Sequence, residues 1–157
     1  MKIDETKQPG IRVKRIFLKS LHFKLNDNFK REKPLKYSLG VDFEHSLSPD
    51  NKILVANLKV DCMKGVENPP FELVVNLVGI FEQTAQPNIA LDDYAKEMAS
   101  GLLMPFAREV IANITSRIPL PPLLLPPINI RALINKQSVL IDQVREKADN
   151  KYNNPDK

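Results

Sequence analysis

The first half of the chain alternates between apolar and polar residues, which is the pattern of half-buried β-strands. The alternation predicts four strands, over residues 11–25, 35–43, 54–62 and 71–81. In the first strand we expect the odd-numbered residues to share the buried face. The fourth strand is apolar on both faces, because Val74, Val78 and Ile80 lie opposite the predicted inward residues Leu73 and Val75. This two-sided apolarity predicts a central strand or an outer face that meets a partner.

Beyond residue 88 the apolar residues recur at helical spacing from Tyr94 to Ile114 and predict one long helix. Pro105 lies inside it, and its missing N–H and its ring predict a kink or break near residues 101–105. Residues 118–130 combine five prolines with seven large aliphatic residues, so they predict a stiff, polyproline-like connection. Asn129 is expected to cap a last helix whose apolar side includes Leu133, Ile134, Leu140, Ile141 and Val144.

Four strands followed by two helices predict an α+β fold in which the helices pack on one face of a four-stranded antiparallel sheet. We expect the four strands to form a meander, in which each strand pairs with the next along the chain. The domain layout expected is a flexible N-terminus over residues 1–10, a single domain over residues 11–148 and a disordered tail over residues 149–157.

Composition limits the possible functions. The chain has 157 residues, is 43% hydrophobic and 27% charged, and has no apolar run near the roughly 18 residues that cross a bilayer. The opening MKIDETKQPG does not resemble a signal segment, so we expect a cytoplasmic protein without direct membrane insertion. The balance of 23 Lys+Arg and 19 Asp+Glu gives a net charge of +4, which is small for a dedicated nucleic-acid binder. We therefore expect no nucleic-acid partner.

The residue types that catalysis and metal binding require are sparse. Cys62 is the single cysteine and is expected to be a core thiol, and His22 and His45 are the only histidines. No nucleophile with a neighbouring base, no pair of converging carboxylates and no glycine-rich phosphate loop is evident. We predict a protein that is not an enzyme and that has no metal site and no cofactor. Gly79, alone within a strand, fits a bulge or a close backbone approach.

The apolar surface of the proline-rich connection has two interpretations. Prolines resist collapse, so the aliphatic residues between them can remain displayed as a preformed groove wall at little cost in ordering. The same residues can equally complete the core. The residues in question are Leu120, Leu123, Leu124, Leu125 and Ile128.

Three segments in the second half of the chain follow one another at a characteristic spacing. They are Met104-Pro-Phe-Ala-Arg-Glu-Val-Ile111, Ser116-Arg117 and Pro121-Pro-Leu-Leu-Leu-Pro-Pro-Ile-Asn129. These motifs and their spacing resemble the SecB protein-export chaperone family. The similarity extends to Val78-Gly-Ile-Phe81 and to Val13-Lys-Arg-Ile-Phe17 and covers roughly residues 11 to 140. The resemblance implies a tetramer built as a dimer of dimers that binds unfolded precursor chains without ATP and transfers them to the SecA translocase.

The resemblance also implies where partners bind. The proline-rich crossover loop and the following helix border the client groove, for which we predict Leu120, Leu123, Leu124, Leu125, Ile128, Ile130 and Leu133. The helix has apolar residues on more sides than one sheet can cover. A second copy is therefore predicted to contact Phe71, Leu73, Val75, Leu77, Tyr94, Met98 and Leu102.

The outer face of the sheet differs from the family pattern. Family members that deliver to SecA resemble one another in having acidic residues there, whereas the matching positions of this chain are Ser20, Lys24 and Val74. We predict weak binding to SecA and a partner that instead covers an apolar strip on this face. The predicted partner face comprises Lys14, Ser20, Lys24, Glu72, Val74 and Val78.

Two functions remain open at this point. The first is a general ATP-independent holdase for unfolded polypeptides. The alternative is a SecB-like chaperone dedicated to an antitoxin or another single partner, in a toxin–antitoxin or scaffold role.

Overall fold

The computed structural model describes residues 10–30, 35, 37–84, 87–134 and 139–140. It contains the strands β1 (Ile11–Leu25), β2 (Ser38–Leu47), β3 (Ile53–Asp61), β4 (Phe71–Gln83) and β5 (Val139–Leu140), and the helices α1 (Leu91–Tyr94), α2 (Ser100–Thr115) and α3 (Ile130–Leu133). Residues 1–9 and 149–157, for which a flexible N-terminus and a disordered tail were predicted, lie outside the described residues, as does most of the predicted last helix.

The strands form one antiparallel sheet in the order β1-β4-β3-β2-β5. The predicted four-stranded antiparallel sheet is confirmed, and β2, β3 and β4 form a meander. The expectation that β1 continues that meander is wrong, because β1 pairs with β4 and not with β2. β1 therefore lies at one edge of the sheet, and β4 is a central strand, as its two-sided apolarity predicts.

Strand β1 contains two irregularities that change which of its residues share a face. Its register with β4 shifts between Val13 and Arg15 and again between Leu18 and Ser20. Each β-bulge inserts one extra residue, Lys14 in the first and Lys19 in the second, and so reverses the alternation beyond it. The expected odd-numbered face is thus wrong in the middle of the strand. The residues on the buried side of β4 pair instead with Ile11, Val13, Ile16, Leu18, Leu21, Phe23 and Leu25.

The turn between β2 and β3 is closed by hydrogen bonds to Ser48. The Asn51 N–H donates to the Ser48 carbonyl (2.9 Å), and Asn51 has a φ of 55°, which asparagine tolerates better than most residues. The Ser48 hydroxyl oxygen also accepts the N–H of Ile53 (3.0 Å). These bonds fix the β2–β3 register.

The long helix comprises α1, a π-helical turn over Ala95–Ala99 and α2, without interruption from residue 91 to residue 115. The prediction near residues 101–105 was a kink or a break, and the break is wrong, because α2 runs through Pro105. The departure from α geometry comes one turn earlier, in the π-helical turn, which shifts the hydrogen-bonding pattern ahead of the proline. No helix among the described residues combines the length and apolarity that crossing a bilayer requires.

The core lies between the long helix and one face of β2, β3 and β4. Cys62 is buried as predicted, and burial raises the pKa of its thiol to about 12. Gly79 is buried where the helix approaches the sheet. A Cβ added to Gly79 would lie 2.9 Å from Leu103 Cδ2 and 2.7 Å from Phe81 Cε2, so the predicted close backbone approach is confirmed.

The C-terminal part of the described chain differs from the expected helix. Asn129 caps α3 as predicted, since its side chain accepts the Ala132 N–H, but α3 ends at Leu133. Leu140 belongs to β5, where it pairs with Ser38 of β2. The exposed edge of β2 has unpaired backbone groups, and pairing with β5 satisfies some of them.

Candidate functional site

The crossover loop, residues 116–129, connects α2 to α3 and is held to the end of α2 by one buried side chain. Thr115 is fully buried, and its Oγ1 accepts the N–H of Leu123 (2.9 Å). The same hydroxyl donates to the Ile111 carbonyl (2.7 Å). The loop backbone is therefore fixed near its middle.

The three consecutive leucines of the crossover loop have different environments. Leu123 and Leu125 are 4% and 3% exposed and belong to the core, whereas Leu124 is 67% exposed. The alternation is that of an extended backbone, whose successive side chains point to opposite sides. The prediction that all three line the groove therefore needs correction, since Leu123 and Leu125 complete the core. The other predicted groove residues, Leu120, Ile128, Ile130 and Leu133, are half-buried and pack against the core.

Helix α3 is attached both to the long helix and to the sheet. The Arg131 guanidinium donates from Nε to the Glu97 carbonyl oxygen (3.0 Å) and also from Nη2 to the same oxygen. Glu97 lies in the π-helical turn. On the other side, Ile134 forms a β-bridge with Val41 of β2. The structure thus brings the crossover loop, α3 and the edge of β2 together.

Most of the predicted oligomer interface is buried within the single chain. Phe71, Leu73, Val75, Leu77 and Tyr94 are at most 5% exposed and contribute to the core, so they offer a partner almost no surface. Met98 and Leu102 are exposed and continue into Phe106, which is 48% exposed. Phe106 is not among the interface residues predicted from the sequence, although it follows Leu102 at the spacing of one helical turn.

A second apolar surface lies on β1, on the side of the sheet that the helix packs against. Val13, Leu18 and Leu21 are 47%, 44% and 38% exposed, because the helix packs on β4 and β3 and leaves β1 uncovered. β1 is also an edge strand, with backbone groups available for pairing. The sequence does contain a signal for this surface. Successive apolar residues that share a face are three positions apart at each bulge, instead of the usual two.

The outer sheet face is the face opposite the helix. It includes Ser20, Lys24, Glu72, Val74 and Val78, since Ser20 pairs with Asn76 and Lys24 with Glu72. The structure thus places five of the six predicted partner-face residues on one surface, and the sixth, Lys14, occupies a bulge at the same edge. Val78 is 6% exposed, and Val74 is half-buried.

Two carboxylates on the outer sheet face are hydrogen-bonded to side chains of β1. Arg12 binds Glu82 through Nη2 (2.6 Å) and Nε (2.9 Å), and this hydrogen bonding lowers the pKa of the Glu82 carboxyl. His22 Nε2 lies 3.0 Å from Glu72 Oε2, and this hydrogen bond lowers the pKa of Glu72. Both carboxylates are therefore ionised at neutral pH.

A third charged cluster lies at the start of the long helix. Asp92 accepts hydrogen bonds from Lys96 and from His45, whose Nε2 is 2.8 Å from Asp92 Oδ1. The Lys96 hydrogen bond, followed by that of His45, lowers the pKa of Asp92. The described residues contain no group of three or more His, Cys, Asp or Glu that could hold a metal ion.

Comparison with known proteins gives matches over most of the chain. The model of the family described as preprotein translocase subunit SecB matches residues 4–139. A protein-export protein SecB of Histophilus somni is 30% identical over 129 residues, which are 78% of this chain and 75% of that protein. An uncharacterized protein of Methanocaldococcus jannaschii, MJ0357, is 23% identical over 87% of this chain and 88% of its own length.

A similar fold occurs in a solved structure. It is the Mycobacterium tuberculosis Rv1957 SecB-like chaperone in complex with a ChAD peptide from the Rv1956 HigA1 antitoxin. The TM-score is 0.61 at 19% identity, and the match covers 76% of this chain and 88% of that one. The α+β arrangement of an antiparallel sheet with C-terminal helices is common to both.

Proposed function

This chain belongs to the SecB family, and from that premise we propose that it is an ATP-independent holdase that binds unfolded polypeptides on the crossover loop and α3. The family's members are chaperones. The observation that supports this site is Leu124, a large apolar side chain that is 67% exposed on a loop fixed at Thr115. Burial of apolar surface stabilises a complex by about 25 cal/mol per Å². Contact between Leu124 and the exposed apolar residues of an unfolded chain is therefore favourable.

The selectivity of such a surface is low. Pairing of an extended client with a strand edge uses main-chain hydrogen bonds, and apolar contacts distinguish side chains only weakly. We therefore expect the protein to bind many unrelated unfolded chains in the cytoplasm and to release them when they fold or are transferred. The rate at which a client folds, compared with the rate of capture, would decide which clients are held.

Light scattering of aggregating proteins tests this function. Two or three unrelated proteins, diluted from denaturant, should scatter less when the chaperone is present in stoichiometric amounts and no ATP is added. An equal amount of an unrelated folded protein is the control. If none of the test proteins is protected, the holdase function is refuted.

A second candidate function is supported by the antitoxin complex of the Rv1957 chaperone. We propose as the alternative that this chain holds one dedicated partner, such as an antitoxin. Protection of a single protein, together with failure on all unrelated ones, would favour this role. Titration of the host's SecA distinguishes the export role, for which we expect weak binding, because the outer sheet face has Ser20 and Lys24 where acidic residues are expected.

We also propose that the protein assembles as a dimer of dimers. Phe106, Leu102 and Met98 form one exposed row on the helix, and the uncovered edge strand β1 exposes Val13, Leu18 and Leu21. Apolar area of this extent on helix and strand is typical of an interface between copies. Multi-angle light scattering at micromolar concentration should give a tetramer, and a folded monomer would contradict the assembly.

A further inference from the structure

The outer sheet face has a concentration of positive charge along β1. Arg12, Arg15 and Lys24 pair with residues of the outer face of β4. Lys19 lines a depression of about 370 Å³ together with Asn57 and Asn76 of this face. The hydrogen bond from Arg12 lowers the pKa of the Glu82 carboxyl most, and Lys14 lies close enough to lower it further. The two bulges thus add Lys14 and Lys19 to the face, and all five cations are exposed.

The two carboxylates of β4, Glu72 and Glu82, offset only part of the five positive charges. Glu82 is engaged by Arg12 and Glu72 by His22. Within the part of the chain that the structure describes, Lys14, Lys19 and Lys24 have no carboxylate oxygen within 4.0 Å. Three solvated ammonium groups therefore remain available, at positions that are five residues apart along one strand.

An apolar stripe lies beside the basic row. Phe17 is 37% exposed and pairs with Val78, and its neighbour Arg15 pairs with Ile80. Val74 and Ile80 are half-buried on the same face. A ligand that lies along β1 therefore contacts ammonium groups at intervals and apolar side chains between them.

We propose that the outer face of β1 and β4 binds an extended, acidic peptide segment of a partner protein. Each bulge adds one residue to β1 without lengthening its ladder with β4, so Lys14, Lys19 and Lys24 are about four ladder positions, or about 13 Å, apart. An extended segment parallel to β1 therefore meets all three with a carboxylate at every fourth residue, because residues four apart lie on the same face of a strand. Its apolar side chains between those carboxylates cover the stripe. This inference goes beyond the proposed function, because it concerns the face opposite the client site and does not require client binding.

The details of the face favour a peptide over a nucleic acid. Arg15 lies over the Phe17 ring, 5.5 Å from its centroid, so the ring is not free to stack on a base. Glu72 and Glu82 interrupt the cations and repel a continuous phosphate backbone. Asp42 and Glu44 of β2 line the same depression together with Lys59 of β3, and the two carboxylates repel an acidic ligand from the β2 side.

Fluorescence anisotropy of the full chain with a labelled peptide tests the proposal. The probe matches the 15 residues of β1, with glutamate at every fourth position, valine midway between successive glutamates and serine at the remaining positions. The test variant is Lys14→Glu/Lys19→Glu/Lys24→Glu. The matched control, Lys30→Glu/Lys52→Glu/Arg108→Glu, makes the same change in net charge at sites outside both the outer sheet face and the crossover loop.

We expect the test variant to bind the peptide at least about tenfold more weakly, while the control binds like the unmodified chain. Binding should also weaken as salt is raised and should be lost when lysine replaces glutamate in the peptide. Because reversing three charges can disturb folding, the single substitution Lys19→Gln provides a second measurement. We expect this variant to bind the peptide about two- to threefold more weakly.

Three results would overturn the proposal. The first is unchanged peptide affinity in both Lys19→Gln and the triple variant. The second is oligouridine of equal length that binds more tightly than the peptide and displaces it. The third is peptide binding that is lost in Leu124→Ser and retained in the outer-face variant, which would place the peptide in the client site. Suppression of aggregation is measured separately, so a failure here leaves the holdase function standing.

Discussion

Leu124 and Leu125 are adjacent in the crossover loop and provide a matched pair for separating client binding from stability. We predict that Leu124→Ala weakens the binding of an unfolded client and leaves the free energy of unfolding nearly unchanged. Leu125→Ala should do the opposite. The two substitutions remove the same atoms, but Leu124 is 67% exposed and Leu125 is 3% exposed.

The expected magnitudes follow from these exposures. Fully burying a leucine side chain contributes about 1.5–3 kcal/mol, and about two-thirds of Leu124 is available for a client to bury. The loss on substitution is therefore about 1–2 kcal/mol, or about five- to thirtyfold in Kd. Substitution of an exposed residue changes stability by about 0.5 kcal/mol or less. Emptying the buried site of Leu125 costs about 2–5 kcal/mol of folding free energy.

Two measurements check this prediction. Anisotropy of a labelled, permanently unfolded client gives Kd, and urea unfolding gives the free energy of unfolding. The Leu125→Ala protein is assayed for client binding at a temperature at which it is still folded. If Leu124→Ala lowers the unfolding free energy as much as Leu125→Ala and does not change Kd, then Leu124 is a packing residue and the client site is elsewhere.

Three further predictions concern stability. Gly79→Ala should destabilise the fold by about 1–3 kcal/mol, because the added methyl group has no room between helix and sheet. In the control Gly101→Ala the added methyl group meets no atom within 4 Å, so this substitution should stabilise the helix by up to about 1 kcal/mol. Thr115→Val should cost about 1–3 kcal/mol, because it leaves the loop N–H without its acceptor, whereas Ser116→Ala on the surface should cost little. Asp92→Asn should lower stability at pH 7, where Lys96 and His45 favour the ionised carboxyl.

Urea unfolding measures the change in the free energy of unfolding for all three predictions. The pKa of the Asp92 carboxyl in the folded state is below its ordinary value of 3.8, because Lys96 and His45 are hydrogen-bonded to it. Its contribution to stability is therefore present above pH 3.8 and is lost as the pH falls through the folded pKa. The deficit of Asp92→Asn should therefore disappear at low pH. A loss of stability in Asp92→Asn that persists at low pH would contradict the role of the Asp92 carboxylate. The close approach at Gly79 would be contradicted if Gly79→Ala were as stable as Gly101→Ala, and the Thr115 hydrogen bond if Thr115→Val were as stable as Ser116→Ala.

The sequence was sufficient for the strands because alternation directly reports a half-buried sheet. The alternation did not predict which residues of β1 face the core. A bulge moves every following residue to the other face, but in the sequence it is only one extra position in the pattern. The apolar spacing of three between Val13 and Ile16, and again between Leu18 and Leu21, is the signal that would have located both bulges. Which strand pairs with β1 depends on long-range packing, which alternation does not encode.

The crossover loop shows a similar division. Its prolines and leucines identified the segment, but the division into buried Leu123 and Leu125 and exposed Leu124 depends on the hydrogen bond from Leu123 to Thr115. That bond joins residues eight apart, and no periodicity in the sequence reports it. The interface residues were misplaced for a related reason, since apolarity does not distinguish a residue that the chain buries itself from one that it leaves for a partner.

Photo-crosslinking from position 124 tests the central claim most directly. A photoreactive amino acid replaces Leu124 in one protein and Lys52, on the β2–β3 turn, in a control. The account predicts that position 124 crosslinks to several unrelated unfolded polypeptides and not to their folded forms, while position 52 crosslinks to neither. Equal crosslinking from both positions, or none from position 124 while aggregation is still suppressed, would contradict binding of unfolded chains at the crossover loop.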